Sequence, residues 1–245
     1  MKDKHIFGVN PVIEALESGT SIEKIFFQKD NFSARLAEVR KKAKELGVPF
    51  SMVPVQKFKF LQKKNHQGVY ALVSPISYTS LDHLVDQLFS KGESGLFVLL
   101  DGVTDVGNLG SLARSSHALG VNALVTQQKG AAPVNSDAVR TSSGAILHIP
   151  ICRLERIQEA IKYLKDSGFQ LVGLTEKGDK SILDLDLTLP TALILGSEEV
   201  GLSDYSLKNA DHLAKIPMDE GVGSLNVAIA GALGVYECYK QRKGL

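Results

Sequence analysis

The sequence predicts an α/β protein in which helices cover both faces of a parallel sheet, preceded by a smaller α/β unit. Short apolar runs with strand character alternate with segments of helical periodicity along most of the chain. The 245 residues are 44% hydrophobic and 22% charged, which is the balance of a globular protein. No apolar run approaches the roughly 18 residues of a membrane-spanning helix. We therefore expect neither a membrane protein nor a fibrous or disordered chain.

The first predicted unit covers residues 1–74, where each strand is followed by a helical pattern. Gly47 follows the longest helical stretch and is expected to end it. The predicted elements are a helix at 12–16, a strand at 24–27, a helix at 32–46, a strand at 50–53, a short helix at 55–61 and a strand at 69–73.

Residues 75–94 are predicted to link this unit to a second α/β alternation over residues 95–245, with one helix at 81–88 inside the linker. Apolar strands separated by helices predict a parallel sheet whose ligands bind at the carboxyl ends of its strands. The elements predicted in the second unit are strands at 96–101, 122–126, 145–151, 169–174, 192–195 and 213–216, and helices at 109–119, 154–165 and 225–239.

The charge of the chain is divided between the two units. Residues 1–74 hold 13 Lys and Arg against 7 Asp and Glu, whereas the remainder holds 15 against 20. A basic first unit suits a polyanion, although a solvated lysine surface would give the same count. Lysines interleaved with Phe58 and Phe60 form a combination that suits RNA; they are Lys41, Lys42, Lys44, Lys57, Lys59, Lys63 and Lys64. Both phenylalanines fit a core position better than a stacking platform.

Some classes of function find no support in the sequence. The two cysteines, Cys152 and Cys238, lack the spacing of a zinc site or a disulfide framework, and we expect both to be buried. No metal site is predicted. The first residues run into a mixed segment without a secretory apolar core, so a cytoplasmic location is expected.

Three strand-end loops combine glycine with side chains that can hydrogen-bond a polar substrate. They are the first loop at residues 101–110, the second loop at 195–203 and the third loop at 216–226. None is a P-loop, and no GxGxxG follows the first strand of the second unit. Each loop alone is typical of a surface turn with a helix-capping Asn or Ser. Their joint presence in this order favours a binding site.

The three loops resemble the signature motifs of the SpoU, or TrmH-type, branch of the SPOUT RNA methyltransferases, over residues 95–240. The resemblance rests on Asn108 with Arg114, on Leu195-Gly-Ser-Glu198 with Gly201-Leu202, and on Ile216-Pro-Met218 with Ser224-Leu-Asn226. The segments at 6–16 and 67–69 further resemble the ribosomal-protein-like RNA-binding domain of members that methylate a guanosine ribose in 23S rRNA.

The resemblance implies a deep trefoil knot in the second unit, a homodimer, and S-adenosylmethionine bound bent in the knot. It assigns the cofactor pocket to backbone at Gly196, Ile216, Met218 and Leu225. A side chain at position 196 is expected to block the adenosine. Without the resemblance, a knot would be rejected because true knots are rare.

The resemblance assigns Arg114 to the ribose 2′-hydroxyl, reaching in from the partner subunit. A guanidinium normally keeps its proton, so two roles stay open: an unusual general base, or a cation that clamps a phosphate and stabilises the forming alkoxide. Asn108 can cap its helix or orient Arg114 or the ribose. Glu198, Ser224 and Asn226 are expected to orient the substrate without reacting covalently, because Ser224 lacks a His–Asp partnership.

One feature departs from the family pattern, and one further segment matches it weakly. Asp105-Val106-Gly107 stands where many members have Asp-Pro, so the first loop is expected to differ in geometry. The segment at 140–145 resembles a weaker family stretch that contacts RNA or simply connects two strands. The predicted activity is methyl transfer to a guanosine ribose in 23S rRNA; the alternatives are another RNA, such as tRNA, or a non-catalytic assembly factor.

Overall fold

The structure is a computed structural model that describes residues 3–219 and 223–245, and it divides into two units. The first unit contains the residues up to Ser77 together with Val134–Ser136, and the second contains Tyr78–Pro133 and Asp137–Leu245. In the part of the chain described, no helix is long and apolar enough to cross a membrane.

The first unit is a four-stranded sheet with helices on one face. Its strands are β1 (Lys4–Phe7), β2 (Ile22–Gln28), β3 (Phe50–Val53) and β4 (Val69–Val73), in the order β1-β4-β2-β3. Strand β4 is antiparallel to both neighbours, and β2 is parallel to β3. Helices α1 (Val9–Glu17) and α2 (Ala34–Glu45) bury Val12, Leu36 and Val39 in a core with the sheet.

The other side of this sheet meets a 3₁₀ helix at Val55–Leu61, the segment predicted as a short helix. Its buried side chains, Phe58 and Leu61, form a second small core with Tyr70. Phe58 is 1% exposed, whereas 54% of the Phe60 surface is accessible. The prediction that both phenylalanines are core residues is therefore confirmed for Phe58 and wrong for Phe60. In a 3₁₀ helix the residues three apart share a side, so Phe58 and Phe60 cannot face the same way.

The second unit is a seven-stranded parallel sheet. The strands are β5 (Leu96–Asp101), β6 (Ala123–Gln127), β7 (Ile151–Leu154), β8 (Gln170–Leu174), β9 (Lys180–Ser181), β10 (Thr191–Gly196) and β11 (His212–Lys215). Their order is β7-β6-β5-β10-β8-β11-β9, and every pairing is parallel. The prediction of a mixed α/β fold with a parallel sheet is confirmed.

Helices cover this sheet on both faces. They are α3 (Leu81–Lys91), α4 (Val106–Ala118), α5 (Ser136–Thr141), α6 (Ile157–Asp166), α7 (Asp204–Asn209) and α8 (Val227–Lys243). Helices α3 and α6 pack apolar side chains against Phe97, Leu99 and Ile194. Helix α8 lies on the opposite face beside α4. A Cβ at Gly231 would lie 2.4 Å from the Leu112 side chain, so this glycine permits the close packing predicted for the last helix.

The structure differs from the sequence prediction in several places. The segment predicted as a strand at 145–151 is a 3₁₀ helix at Ala145–Leu147, and the strand begins only after Pro150. The helix of the predicted linker, α3, belongs to the core of the second unit because Leu81, Val85 and Leu88 are buried there. Strands β1 and β9 and helices α5 and α7 were not predicted.

Candidate active site

A cavity of about 500 Å³ lies at the carboxyl ends of β8, β10 and β11. This is the edge of a parallel sheet at which ligands bind. The cavity is lined by residues of three strand-end segments and of the first turn of α8: Leu174–Lys177, Leu195–Gly201, Ile216, Met218, Ser224–Val227 and Ala230. The second and third loops thus form most of one pocket.

All four residues predicted to bind the cofactor line this cavity: Gly196, Ile216, Met218 and Leu225. Their roles toward a cofactor stay a prediction. Glu220, Gly221 and Val222 of the predicted third loop lie outside the described residues.

The second loop is a tight turn that closes on itself. Ser197 and Gly201 exchange two backbone hydrogen bonds of 3.0 and 2.9 Å, and Gly201 has a φ of +77°, which favours glycine. A Cβ at Gly196 would lie only 2.1 Å from the carbonyl carbon of Gly201. The structure therefore gives a reason for glycine at 196 that differs from the expected clash with adenosine: the backbone of the loop itself fills the space.

A buried carboxylate ties this loop to the neighbouring strand. Asp101, at the end of β5, is 6% exposed. Its Oδ2 accepts a 2.8 Å hydrogen bond from the backbone N–H of Ser203 and a 2.6 Å bond from the Ser206 hydroxyl. Because bonds to a charged acceptor are strong, this contact fixes where the second loop ends and α7 begins.

Three of the predicted catalytic residues form one hydrogen-bonded chain that we call the amide chain: Asn226, Asn108 and Glu198. The Nδ2 of Asn226 donates to Oδ1 of Asn108 over 3.0 Å, and Nδ2 of Asn108 donates to Oε1 of Glu198. These residues are 90 and 118 positions apart in sequence. The chain therefore joins the first, second and third loops.

The helix cap at Asn226 fixes the direction of the amide chain. Its Oδ1 accepts from the backbone N–H groups of Ala228 and Ile229 at 2.9 and 3.4 Å, which caps α8. The amide nitrogen of Asn226 must then face Asn108, and the amide nitrogen of Asn108 must face Glu198. One oxygen of Glu198 is held in this way, and the carboxylate keeps further capacity to accept hydrogen bonds from a substrate.

Asn108 itself is held by the start of α4. Its backbone N–H donates a 2.7 Å hydrogen bond to Oδ1 of Asp105, the capping residue of that helix. Of the roles left open for Asn108, capping α4 is not realised, because Asp105 holds that position and leaves the amide of Asn108 free to join the chain. Asp105 is also the first residue of the segment at 105–107, which differs from the family pattern.

Arg114 is exposed on α4 and belongs neither to the cavity lining nor to the amide chain. Six helical residues separate it from Asn108, which places it about 9 Å along the axis and about 120° around it. Within residues 3–219 and 223–245, Arg114 has no hydrogen-bond or ion-pair partner. The structure therefore does not bring Arg114 to the other predicted catalytic residues of the same chain.

Ser224 and the segment at 140–145 complete the predicted sites. Ser224 is exposed and lines the cavity. In the 140–145 segment, Thr141 packs against α4 so closely that a Cβ at Gly110 would lie 1.9 Å from its hydroxyl. Arg140 is exposed and lies 3.1 Å from Asp137. Thr141 thus positions α4, and an RNA contact of this segment stays a prediction.

Sequence reasoning missed the part of the cavity that follows β8. Thr175, Glu176 and Lys177 line it, and no motif marks them. A usable signal exists, because this polar segment directly follows the strand predicted at 169–174, and ligands bind at the carboxyl ends of parallel strands. Among the described residues, no group of three or more His, Cys, Asp and Glu could hold a metal ion.

Both units match known protein families, and both of these families concern RNA methyltransferases. Residues 95–236 match the SpoU rRNA Methylase family, and residues 5–79 match a domain described as RNA 2′-O ribose methyltransferase substrate binding. A Staphylococcus epidermidis protein assigned by name to the TrmH family of tRNA/rRNA methyltransferases is 34% identical over all of this chain and 98% of its own length. The Bacillus subtilis relative YacO, assigned to the same family, is 32% identical over 97% of this chain and 96% of its own.

Solved structures of methyltransferases are also similar to this chain over nearly all of its length. The SpoU methyltransferase AviRb from Streptomyces viridochromogenes, in complex with AdoMet, is 28% identical with a TM-score of 0.63, over 99% of this chain and 92% of its own. An AdoMet-bound rRNA methyltransferase from Sinorhizobium meliloti is 26% identical with a TM-score of 0.61, over 100% of this chain and 88% of its own. The chain belongs to the SpoU/TrmH family of RNA methyltransferases.

Proposed function

We propose that this RNA methyltransferase transfers a methyl group from S-adenosylmethionine to the ribose 2′-hydroxyl of a guanosine in 23S rRNA, as the RlmB-type enzymes do. The observation that carries the proposed chemistry is the amide chain, which aims a fixed carboxylate at the edge of the cavity. The match of the first unit to a 2′-O ribose methyltransferase domain supports the 2′-hydroxyl. The resemblance of residues 6–16 and 67–69 supports 23S rRNA.

SpoU methyltransferases bind S-adenosylmethionine, as the AviRb complex does. The cavity fits this group, because about 500 Å³ is within the usual volume of small-molecule sites. Its lining includes Glu176, Glu198 and Glu199 against one cation, Lys177, and such negative charge suits a sulfonium. Leu174, Ile216 and Leu225 supply apolar surface beside them, where Met218 is 41% exposed. When bound, the cofactor supplies an electrophilic methyl group with a good leaving group.

The residues of the chain must align the reacting groups and stabilise the charge that develops on the ribose oxygen. The free acceptor capacity of Glu198 orients the 2′-hydroxyl, and Asn108 and Asn226 hold Glu198 in place. For Arg114 we favour the role of a cation that stabilises the forming alkoxide, because a guanidinium keeps its proton at neutral pH. The hydroxyl proton then passes to water or to a phosphate oxygen.

We further propose that the enzyme is a homodimer in which Arg114 completes the site of the partner subunit. The direction of Arg114, about 120° away from Asn108 on α4, supports a role outside its own site. An exposed apolar stripe on the neighbouring α8 supports a subunit contact. Its members, spaced at helical intervals, are Ile229, Leu233 and Tyr236, which are 53%, 44% and 50% exposed.

Mixing two inactive variants tests this arrangement. Arg114→Ala keeps its cavity but lacks the arginine, and Glu198→Ala keeps the arginine but lacks the carboxylate. If Arg114 acts across the interface, half of the randomly mixed dimers carry one complete site, and about a quarter of the wild-type activity returns. If Arg114 acts within its own subunit, mixing restores nothing, and the proposed arrangement fails. Light scattering must show twice the chain mass for wild type.

We also infer the trefoil knot that the family resemblance implies. Strand β10 is inserted between β5 and β8, which are earlier in the chain, and α8 then packs against both β8 and β10. This order of insertion and return supports a threaded chain. A test is mechanical unfolding from both termini, in which a knotted chain reaches a shorter extended length than 245 residues allow.

The substrate is tested by methyl transfer from labelled S-adenosylmethionine to unmodified 23S rRNA and, separately, to unmodified tRNA, followed by mapping of the labelled ribose. Label on a 23S guanosine is the expected result, and Arg114→Ala must abolish it while retaining cofactor binding. Label on tRNA alone would refute the 23S proposal; the names of the relatives, which include both RNA classes, favour tRNA as the second candidate. Bound cofactor without transfer to either RNA would favour a pre-ribosomal particle as the substrate or a non-catalytic assembly factor.

A further inference from the structure

One surface of the first unit has no role in the proposed chemistry and combines an exposed aromatic ring with unpaired positive charge. We call it the Phe60 patch, and its members are His5, Phe60 and the lysines Lys57, Lys59, Lys63 and Lys64. The ring of Phe60 lies 4.9 Å from His5 and 5.2 Å from Tyr70, measured between ring centroids. Tyr70 is buried beneath it, so the ring is supported from inside while 54% of the residue is accessible.

The local helix places two lysines on either side of this ring. Residues three apart in a 3₁₀ helix share a side, so Lys57 lies on the side of Phe60. The backbone N–H of Lys64 donates to the carbonyl oxygen of Leu61 over 2.8 Å, so the same pattern continues beyond the helix and brings Lys63 to that side. The two cations flank the ring about one turn, or roughly 6 Å, away along the axis.

The stretch of sequence that contains the ring carries charge of one sign. No Asp or Glu occurs between residues 46 and 81 of the sequence. All four lysines are exposed, and within the described parts of the chain none has an ion-pair partner. Lys64 lies over the ring of Phe7 at 4.7 Å from its centroid. By contrast, Lys41 and Lys42 on α2 each pair with a glutamate.

We propose that the Phe60 patch binds single-stranded RNA, with an unpaired base stacked on Phe60 and the backbone phosphates held by the flanking lysines. An aromatic face between cations suits this ligand, since every base can stack and every linkage carries a negative charge. A duplex offers the same phosphates but keeps its bases stacked inside. The proposal rests on the proposed function only in that the same RNA is the methyl acceptor.

The test measures binding of the full-length protein to a fluorescent single-stranded RNA of about 12 nucleotides, and to the same RNA annealed to its complement. We expect Phe60→Leu to weaken single-strand binding roughly tenfold and Phe60→Tyr to restore it, because tyrosine keeps the aromatic face. Duplex binding should not change. Equal losses for single strand and duplex, or no loss in Phe60→Leu, would overturn the stacking role.

The lysines are tested through the salt dependence of binding. Removing two phosphate contacts in Lys57→Gln/Lys63→Gln should lower the slope of log K against log salt by about 1.4. The control is Lys41→Gln/Lys44→Gln on α2, which removes the same charge elsewhere in the unit and should change the slope less. An equal change in both variants would show that only net charge matters, against the proposal.

These binding measurements require no turnover, so they separate the patch from the proposed activity. If the wild type transfers no methyl group to any RNA but Phe60→Leu still loses single-strand binding, the proposed function fails and the patch stands. If transfer occurs and Phe60→Leu leaves both Kd and KM unchanged, the patch fails alone. The expected result is a raised KM for RNA with an unchanged kcat.

Discussion

Asn226→Asp separates the two roles that Asn226 has in this structure. The new carboxylate keeps an oxygen for the N–H groups of Ala228 and Ile229, and a negative charge at a helix N-terminus is favourable. It cannot donate to Asn108, whose Oδ1 lies 3.0 Å from the replaced nitrogen. Asn108 must then turn its amide over or lose this contact. A turned amide presents an oxygen to Glu198.

The expected loss of activity follows from these contacts. A neutral hydrogen bond contributes about 1 kcal/mol and one to a charged group about 1.5–3 kcal/mol, with exposed bonds at the low end. Disturbing both bonds of the amide chain should therefore raise the activation free energy of methyl transfer by about 1.5–3 kcal/mol. At 1.36 kcal/mol per tenfold, kcat for methyl transfer should fall roughly 10- to 150-fold. The two bonds also contribute to folding, so the Tm should fall by about 2–4 °C per kcal/mol lost, without the further loss that a missing cap would add.

Two further variants serve as controls, and turnover with labelled cofactor is the assay. Asn226→Ala removes cap and chain together, so it should lose activity and a further ~1 kcal/mol of stability, about 2–4 °C in Tm below Asn226→Asp. Ser33→Ala removes the cap of α2 in the first unit and should lower stability with normal turnover. Asn226→Asp with kcat within twofold of wild type would refute the role of the amide chain.

Three other outcomes are expected. Gly196→Ala should weaken S-adenosylmethionine binding at least tenfold, measured by calorimetry, because the new Cβ would lie 2.1 Å from the backbone of its own loop. The control is Gly223→Ala, whose Cβ would meet nothing within 4 Å. Asp101→Ala removes the acceptor of two hydrogen bonds, so it should lower the free energy of unfolding by about 2–4 kcal/mol in urea titrations and weaken cofactor binding. Asp101→Asn should have an intermediate effect on both. Equal effects of the two variants would contradict the role of the Asp101 carboxylate. Burial raises the pKa of the Cys152 and Cys238 thiols from 9.0 to about 12. As the pH rises, the unfolded chain therefore loses its thiol protons before the folded chain does, and the free energy of unfolding should fall between about pH 9 and pH 12. In urea titrations, the double alanine variant should show a shallower fall.

The parts of the site that follow local rules could be predicted from sequence. Strand ends marked by glycine gave the second and third loops, and parallel strands bring their carboxyl ends to one edge, so these loops had to meet. The cavity contains Gly196, Ile216, Met218 and Leu225 for this reason. The family resemblance supplied their assignment to a cofactor, which no periodicity contains.

The parts that depend on distant pairing could not be predicted. Nothing local indicates that Asn108 would meet Glu198, 90 residues later. Helix α3 had a clear amphipathic pattern, but such a pattern does not say which core receives its apolar side. Phe60 was assigned to the core because an apolar residue in a short helix usually belongs there, and the threefold repeat of a 3₁₀ helix turned it outward.

The space beside Gly196 has a consequence for the design of altered cofactors. Because the Cα of Gly196 faces the backbone of Gly201 and Leu202, this glycine is required by the turn and does not enlarge the room available to a ligand. An enzyme engineered to accept a cofactor analogue with a bulkier transferable group cannot gain room there. Ile216 and Met218 line the same cavity and carry side chains that can be shortened, so they are the route to an orthogonal enzyme–cofactor pair.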